Sequence, residues 1–182
     1  MEQRYLILDR DGVINQDSDQ YIKSPEEWIP IPGSLEAIAE LKHAGWQIAV
    51  ATNQSGIARG LFSEETLAAM HQKLHDLLAQ LGAQVDLIAY CPHAPDDQCG
   101  CRKPRPGLLQ QIARRWDIEL TGVPFIGDSR KDVEAARAVG CRPILVRTGK
   151  GERTLADPAG LEDVEIYPDL AAATRHLLQD AC

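Results

Sequence analysis

Two acidic residues, Asp9 and Asp11, stand two positions apart directly after the apolar run YLIL at residues 5–8. So short an apolar run is typical of a buried strand, and residues two apart in an extended segment point the same way. Neighbouring carboxylates repel each other unless a cation lies between them or one of them holds a proton. Taken alone, the pair predicts a metal or acid–base site at the end of a strand, with a solvated acidic turn as the alternative.

Three more polar groups follow later in the chain, and each has an ordinary structural alternative. Thr52, in the segment TNQSG, has the alternative of a strand-end hydroxyl, and Lys103 that of a solvated loop lysine. Asp128, in GDS, has the alternative of capping the next helix before Ser129. Their positions distinguish them, because each group follows a predicted strand, and open parallel sheets bind ligands at the carboxyl ends of their strands.

The elements that must position these groups alternate along the chain between short apolar runs and helical patterns. Strands are predicted at 5–8, 47–51, 85–90, 123–126 and 143–146, with helices capped by Ser34 and Ser63, opened by Pro106, passing through Val133 and Ala136, and spanning 170–178. Residues 152–165 are expected to form a loop, with a short strand near 164–166. This alternation predicts an α/β fold with a mainly parallel sheet and helices on both faces, in a single Rossmann-like domain over residues 1–182.

The composition is that of an acidic, soluble protein of 182 residues, 44% hydrophobic, with a net charge of −8 at pH 7. Such a charge argues against general nucleic-acid binding, which requires a basic surface along the phosphate backbone. The apolar runs fall well short of a membrane span, and the N-terminus has no basic segment followed by a hydrophobic stretch. We therefore expect a cytoplasmic monomer with no nucleic-acid or membrane partner.

A cluster of soft metal ligands follows the predicted strand at 85–90, contributed by Cys91, His93, Cys99 and Cys101. Three thiols and one imidazole suit tetrahedral Zn²⁺, and four protein ligands are typical of a closed, structural site. A redox pair at Cys99 and Cys101, or buried thiols without a metal, are the alternatives. The other cysteines and histidines are expected in structural or solvated positions: Cys141 in the core, Cys182 as a tail thiol, and His43, His71, His75 and His176 on solvated helix faces.

Taken together and in this order, the polar groups resemble the four motifs of the haloacid-dehalogenase superfamily of phosphatases, and the resemblance covers nearly the whole chain. It implies that Asp9 is a nucleophile that forms an aspartyl-phosphate. It also implies that Asp11 protonates the leaving oxygen and then, as a carboxylate, activates water. A catalytic Mg²⁺ ion would be held by Asp9, Asp128 and the backbone carbonyl of Asp11.

The same resemblance assigns the remaining motif residues. Thr52 and Lys103 are implied to bind phosphoryl oxygens, and Asp132 is expected to order its loop. Members of the superfamily often insert a capping domain, for which this chain has no room, so we expect an open site without a large cap. Three basic residues have the alternatives of adding positive charge at the rim or being ordinary surface residues: Arg59, Arg147 and Lys150.

Within the superfamily, the segments TNQSGIARG and CRKP are most similar to those of small phosphatases that act on a heptose bisphosphate. This similarity implies removal of the 7-phosphate from D-glycero-D-manno-heptose 1,7-bisphosphate, a small-molecule sugar bisphosphate on the route to the activated heptose of bacterial lipopolysaccharide. Arg102 is implied to recognise the substrate. The implied substrate contacts are Asp17, Ser18, Asp19, Gln20, Thr52, Asn53, Gln54, Ser55, Arg102 and Lys103.

Two alternatives stay open at this point. Histidinol-phosphate phosphatases share the motifs and the cysteine loop, although Arg102 suits a second anionic group better than the cationic amine of histidinol phosphate. A non-catalytic, metal-binding scaffold is the other alternative. Against it, both Asp9 and Lys103, whose loss would mark an inactive relative, are present.

Overall fold

The short apolar runs of the sequence form a six-stranded sheet in the computed structural model, which describes residues 2–180. The strands are β1 (Arg4–Leu8), β2 (Trp46–Asn53), β3 (Leu87–Cys91), β4 (Pro124–Gly127), β5 (Arg142–Val146) and β6 (Glu165–Tyr167). They lie in the order β3-β2-β1-β4-β5-β6, and each pair of neighbours is parallel. The predicted α/β fold with a mainly parallel sheet is confirmed.

Helices cover both faces of the sheet. They are α1 (Ser34–His43), α2 (Glu64–Ala79), α3 (Gly107–Trp116), α4 (Arg130–Ala138), α5 (Gly151–Leu155) and α6 (Leu170–Asp180). One core joins α1, α2 and α6 to the face that presents Leu6 and Leu8, and another joins α3 and α4 to the face that presents Ile7. Because both faces are covered, successive strand residues are apolar, which explains the continuous runs in the sequence.

No large cap lies between β1 and α1, where residues 9–33 form turns, bends and two isolated bridges. The expectation of a site without a large cap is therefore confirmed over this segment. None of the helices within residues 2–180 combines the length and the apolar character that crossing a membrane requires.

The strand order reverses next to β1, and this reversal positions the site. The chain runs outward from β1 through β2 to β3 and then returns to place β4 on the other side of β1. The Asp9 N–H donates a hydrogen bond of 2.9 Å to the Ile126 carbonyl, which ties the ends of β1 and β4 together. In open parallel sheets, the crevice at such a reversal binds ligands. Asp9 and Asp128 follow these two strands and therefore meet at the crevice.

Two local predictions from the sequence were wrong. Residues 152–165, predicted as loop, contain most of the short helix α5; the short strand predicted near 164–166 is confirmed as β6. Ser34 was predicted to cap α1, but Gly33 occupies the N-cap position and the Ser34 hydroxyl donates to the Val13 carbonyl at 2.8 Å. The hydroxyl is thus used to anchor the preceding loop. Ser63 caps α2 as predicted.

His71 also differs from the prediction, because it is only 8% exposed and its imidazole contacts the buried guanidinium of Arg10. Cys141 lies in the core as predicted, and Trp28 is fully buried there. The predicted tail thiol, Cys182, lies outside the described residues.

Candidate active site

A cavity of about 340 Å³ opens at the carboxyl ends of β1, β2 and β4. Nearly all of the predicted catalytic, magnesium-binding and substrate-binding residues line it: Asp9, Asp11, Asp17, Ser18, Asp19, Thr52, Asn53, Gln54, Ser55, Arg102, Lys103 and Asp128. Gln20 is the exception, because it is exposed and lies outside the lining. The roles of these residues stay predictions, but their convergence in one cavity is a feature of the structure.

The cavity has further lining residues that the sequence did not single out as substrate contacts. They are Tyr21, Ile22, Ser129, Lys131 and Asp132, together with the basic residues Arg59 and Lys150. Arg147, the third basic residue considered for the rim, lies outside the lining and pairs with Glu152. Most of these residues lie close to a motif in the sequence, and this closeness could have been used to predict them.

Lys103 is 3% exposed, and its ammonium group bridges two carboxylates. Its Nζ lies 2.6 Å from Asp132 Oδ1 and 3.1 Å from Asp9 Oδ1. Desolvation alone would lower the pKa of Lys103, but the carboxylates of Asp132 and Asp9 raise that pKa above its usual value, so the side chain stays charged. A fixed cation beside a carboxylate can bind the oxygens of a phosphoryl group transferred to that carboxylate.

The TNQSG segment positions groups from other parts of the chain. Asn53 Nδ2 donates to the Lys103 carbonyl at 3.1 Å, and the Lys103 N–H donates to Asn53 Oδ1 at 3.0 Å. Gln54 Nε2 donates to Thr52 Oγ1 at 2.9 Å and to Asp11 Oδ2 at 3.0 Å. Asn53 therefore fixes the lysine segment, and Gln54 links the threonine to the second aspartate.

Three carboxylates, from Asp9, Asp128 and Asp132, offer oxygens within 4.8 Å of one another. Burial raises the pKa of Asp9 well above its ordinary value, and the charge of Asp132 raises it further, while Lys103 opposes the shift. Burial, followed by the charge of Asp132, raises the pKa of Asp128 to about 7. A bound cation would relieve this repulsion between the carboxylates.

Protein donors already occupy both oxygens of Asp132. Its Oδ1 accepts from Lys103, and its Oδ2 accepts from the N–H groups of Asp128 and Ser129 at 3.1 and 3.2 Å. Asp132 thus orders the start of α4, in agreement with the expectation from the sequence. Of the three carboxylates, those of Asp9 and Asp128 are therefore the ones that can coordinate a cation.

Two glycines allow the close packing around Asp128. Gly12 and Gly149 have φ angles of +85° and +58°, and a Cβ atom at either position would lie within 2.0 or 2.4 Å of Asp128 Oδ2. Only glycine tolerates both the backbone conformation and the proximity. The Lys150 N–H donates to the same oxygen at 2.8 Å. Carboxylate oxygens are the ligands that Mg²⁺ prefers, so the carboxylates of Asp9 and Asp128 fit the predicted magnesium ion.

The short helix α5 supports this part of the site. Thr154 Oγ1 donates to the Asp128 carbonyl at 2.9 Å, and Lys150 Nζ, just before the helix, lies 2.7 Å from Asp17 in the predicted substrate loop. Helices this short depend on tertiary contacts rather than on their own residues. For that reason α5 has no periodic signal in the sequence.

The cysteine cluster has the geometry of a four-ligand metal site. The sulfur of Cys91 lies 3.6 Å from that of Cys99 and 3.0 Å from that of Cys101, and His93 Nδ1 lies 3.3 Å from Cys101 Sγ. A tetrahedral zinc site with Zn–S bonds near 2.3 Å places its sulfurs about 3.8 Å apart. All four ligand atoms lie within 4.8 Å of one another, and the cysteines are free. The cluster therefore fits Zn²⁺.

Sequence comparisons identify close relatives of this chain. A family model described as HAD-hydrolase-like matches residues 100–173. The chain is 59% identical over 179 residues to the D-glycero-beta-D-manno-heptose-1,7-bisphosphate 7-phosphatase of Pseudomonas aeruginosa, which covers 98% of this chain and 100% of that protein. It is 56% identical over 178 residues to the protein of the same name from Bordetella bronchiseptica, with 98% and 99% covered.

Solved structures of relatives share the fold over nearly the full length. The D,D-heptose 1,7-bisphosphate phosphatase from B. bronchiseptica, crystallised with magnesium and phosphate, is 56% identical and superposes with a TM-score of 0.95 over 97% of this chain and 99% of that chain. The corresponding enzyme from Burkholderia thailandensis is 43% identical, with a TM-score of 0.76 over 96% and 98%.

Proposed function

Since the chain belongs to the family of D-glycero-beta-D-manno-heptose-1,7-bisphosphate 7-phosphatases, we propose that it hydrolyses the 7-phosphate of this sugar bisphosphate. One observation carries the proposal: a single cavity joins a phosphoryl-transfer centre, Asp9 with Lys103, to a separate basic group at Arg102. The identity to these relatives favours the sugar bisphosphate over histidinol phosphate. A non-catalytic scaffold is disfavoured, because the nucleophile and the lysine are in contact.

Asp9 performs the first chemical step. Its carboxylate oxygen attacks the phosphorus, the bond between phosphorus and the sugar oxygen breaks, and Asp11 gives its proton to that oxygen. Lys103 and Thr52 bind the phosphoryl oxygens, over which negative charge is spread. Water then attacks the phosphorus of the aspartyl-phosphate while the carboxylate of Asp11 accepts a proton from it. The bond between phosphorus and the Asp9 oxygen breaks, which restores the Asp9 carboxylate and releases inorganic phosphate.

A magnesium ion completes the proposed site. Asp9, Asp128 and the Asp11 carbonyl would hold it, and when bound it would offset the repulsion between a carboxylate nucleophile and a phosphate. The magnesium and phosphate bound in the crystal structure of the B. bronchiseptica relative support this assignment. We also propose that Zn²⁺ at the cysteine cluster is structural, because all four of its ligands come from the protein.

Two basic side chains at the cavity are proposed to bind the second phosphate, at carbon one. Arg102 Nη1 is buried and has no hydrogen-bond partner among the described residues. Lys131 has no ion-pair partner within the described part of the chain, and desolvation followed by the charge of Arg102 lowers its pKa. Lys150, in contrast, is paired with Asp17. Neighbouring cations without carboxylate partners are suited to an anionic ligand.

The proposed function is tested by measuring kcat/KM for phosphate release, with Mg²⁺, from heptose 1,7-bisphosphate and from histidinol phosphate in parallel. We expect the sugar bisphosphate to be preferred at least about 100-fold, which corresponds to two charge-assisted contacts. A preference for histidinol phosphate would show that the basic group at Arg102 does not select for a second phosphate. Slow hydrolysis of both compounds would be compatible with the phosphatase chemistry but would refute heptose 1,7-bisphosphate as the substrate.

Arg102→Ala is expected to lower kcat/KM for heptose 1,7-bisphosphate by about 10- to 100-fold, the usual cost of losing a charge-assisted hydrogen bond. Heptose 7-phosphate lacks the second phosphate, so its kcat/KM should change by less than about threefold. Arg130→Ala is a matched control, because it makes the same change at an arginine that binds the carbonyls of Ala159 and Asp157 and lies outside the cavity lining. Equal losses on both substrates would refute a role for Arg102 in binding the second phosphate.

A further inference from the structure

A fully buried arginine lies between the two aspartates of the site. Arg10 is 0% exposed, and its backbone N–H donates to Asp9 Oδ1 at 2.7 Å. Its side chain extends to Asp11 and to His71, a residue of α2 that is 61 positions away in the sequence. Burying a guanidinium is unfavourable unless its donors are paired, so these contacts constrain where the side chain can lie.

The guanidinium directs two nitrogens to one oxygen of Asp11. Arg10 Nη2 lies 2.7 Å and Nε 3.1 Å from Asp11 Oδ1, and Asn15 Nδ2 donates to the same oxygen at 2.8 Å. Arginine frequently binds both oxygens of a carboxylate in parallel instead. Here Oδ2 is left to Gln54, which lines the cavity and also contacts Thr52. Asp11 is therefore anchored through Oδ1, while Oδ2 lies beside groups of the phosphoryl site.

His71 supports the guanidinium from behind. Its Nε2 lies 3.3 Å from Arg10 Nη1, and the imidazole is neutral, because burial and then the positive charge of Arg10 lower the pKa of His71 to about 3. A neutral ring can accept this hydrogen bond through an unprotonated Nε2. Neither Arg10 nor His71 lines the cavity, so both can act only through Asp11 and its neighbours.

We propose that Arg10, supported by His71, is a positioning residue that anchors Asp11 through Oδ1 and presents Oδ2 as the proton-transferring atom. The inference rests on the proposed function, since it uses the role assigned there to Asp11. In the first step the proton on Oδ2 moves to the sugar oxygen as its bond to phosphorus breaks, and in the second Oδ2 takes a proton from the attacking water. Burial raises the pKa of Asp11, but the charge of Arg10 and the hydrogen bonds from Asn15 and Arg10 lower it overall. The negative phosphoryl group of a bound substrate opposes that lowering and favours the protonated form before the first step.

The test compares two substrates whose leaving groups differ in their need for a proton. A sugar alkoxide requires protonation to leave, whereas p-nitrophenolate leaves without it. His71→Leu removes the acceptor for Arg10 Nη1, and we expect single-turnover release of heptose 1-phosphate from the bisphosphate to slow at least about 10-fold. Release of p-nitrophenol from p-nitrophenyl phosphate should change by less than about threefold. His71→Gln retains an acceptor and should recover most of the lost rate.

Controls separate positioning from a general loss of structure. His75 lies one turn further along α2, so His75→Leu should leave both rates unchanged. Arg10→Lys keeps the buried charge but cannot direct two nitrogens to Oδ1, so it should give the same selective loss, and it serves as the test if His71→Leu does not fold. Equal slowing of both substrates in folded variants would overturn the inference. If the wild-type protein hydrolyses p-nitrophenyl phosphate and simple alkyl phosphates but not heptose 1,7-bisphosphate, the proposed substrate is refuted. The positioning role of Arg10 is then tested with an alkyl phosphate in place of the bisphosphate.

Discussion

Asp9→Asn is expected to abolish phosphate release, with kcat lowered at least about 10⁴-fold, because the carboxylate oxygen that forms the aspartyl-phosphate is lost. Asparagine keeps the shape of the side chain. Its amide oxygen can still accept from the Arg10 N–H and from Lys103, as Asp9 Oδ1 does. The loss should therefore be chemical, and kcat for heptose 1,7-bisphosphate at saturating Mg²⁺ is the measurement.

The same variant should fold at least as stably as wild type when Mg²⁺ is absent. Burial and the charge of Asp132 raise the pKa of Asp9, so folding favours the protonated carboxyl over the ionised one. A carboxyl with a raised pKa contributes stability below its ordinary value of 3.8, and this contribution is lost as the pH rises through the folded-state pKa. Above the folded-state pKa, the buried ionised carboxylate is a cost that neutral asparagine removes.

Thermal unfolding with and without Mg²⁺ checks this second expectation. Wild type should gain more stability from Mg²⁺ than Asp9→Asn, because the variant has lost one of the proposed ligands. Asp163→Asn is a suitable control, since it makes the same change on an exposed carboxylate that pairs with Arg137. Appreciable turnover by a pure Asp9→Asn preparation would refute the nucleophile assignment.

The strand ends of the site could be predicted from the sequence because their signals are local. A short apolar run followed by a carboxylate, directly for Asp9 and after one glycine for Asp128, places them after β1 and β4, and parallel pairing brings the two together. The role of Lys103 came from motif order and not from its neighbours, and its contacts to Asp9 and Asp132 depend on a loop whose path no periodicity describes.

Contacts between distant segments could not be predicted in this way. Nothing near Arg10 indicates that a histidine 61 residues later accepts its hydrogen bond. The spacing of His71 places it on the buried face of α2 with Leu67 and Leu74, but spacing alone does not show which group it meets there. The helix α5 was missed because five residues carry too little pattern, although Thr154 and Lys150 hold Asp128 and its surroundings. The sequence located the groups proposed to react, whereas the residues that contact and hold them required the three-dimensional structure.

Zinc binding at the cysteine cluster has a large predicted effect on stability. Structural zinc contributes directly to folding free energy, because a preformed set of ligands rarely exists in the unfolded chain. Desolvation raises the pKa of Cys91 to about 12 and also raises that of Cys101, whereas hydrogen bonds from the Arg102 N–H and the neighbouring thiols outweigh desolvation at Cys99 and lower its pKa to about 6. Zinc would hold all three as thiolates, so its binding would release protons. The cluster ends at Cys101, two positions before Lys103, so loss of zinc would also release the segment that presents the lysine.

Cys99→Ser is expected to reduce the zinc content from one ion per chain and to lower the free energy of unfolding by at least about 3 kcal/mol. For a chain of this size, that loss corresponds to a decrease in Tm of roughly 6–12 °C. Metal analysis of the purified protein and thermal unfolding measure the two effects.

Cys141→Ala is the control, because Cys141 is buried away from the cluster and burial raises the pKa of its thiol to about 12. Unchanged zinc content in Cys99→Ser would refute the proposed four-ligand zinc site. A wild-type protein that holds no zinc and links Cys99 to Cys101 on oxidation would favour the redox pair instead.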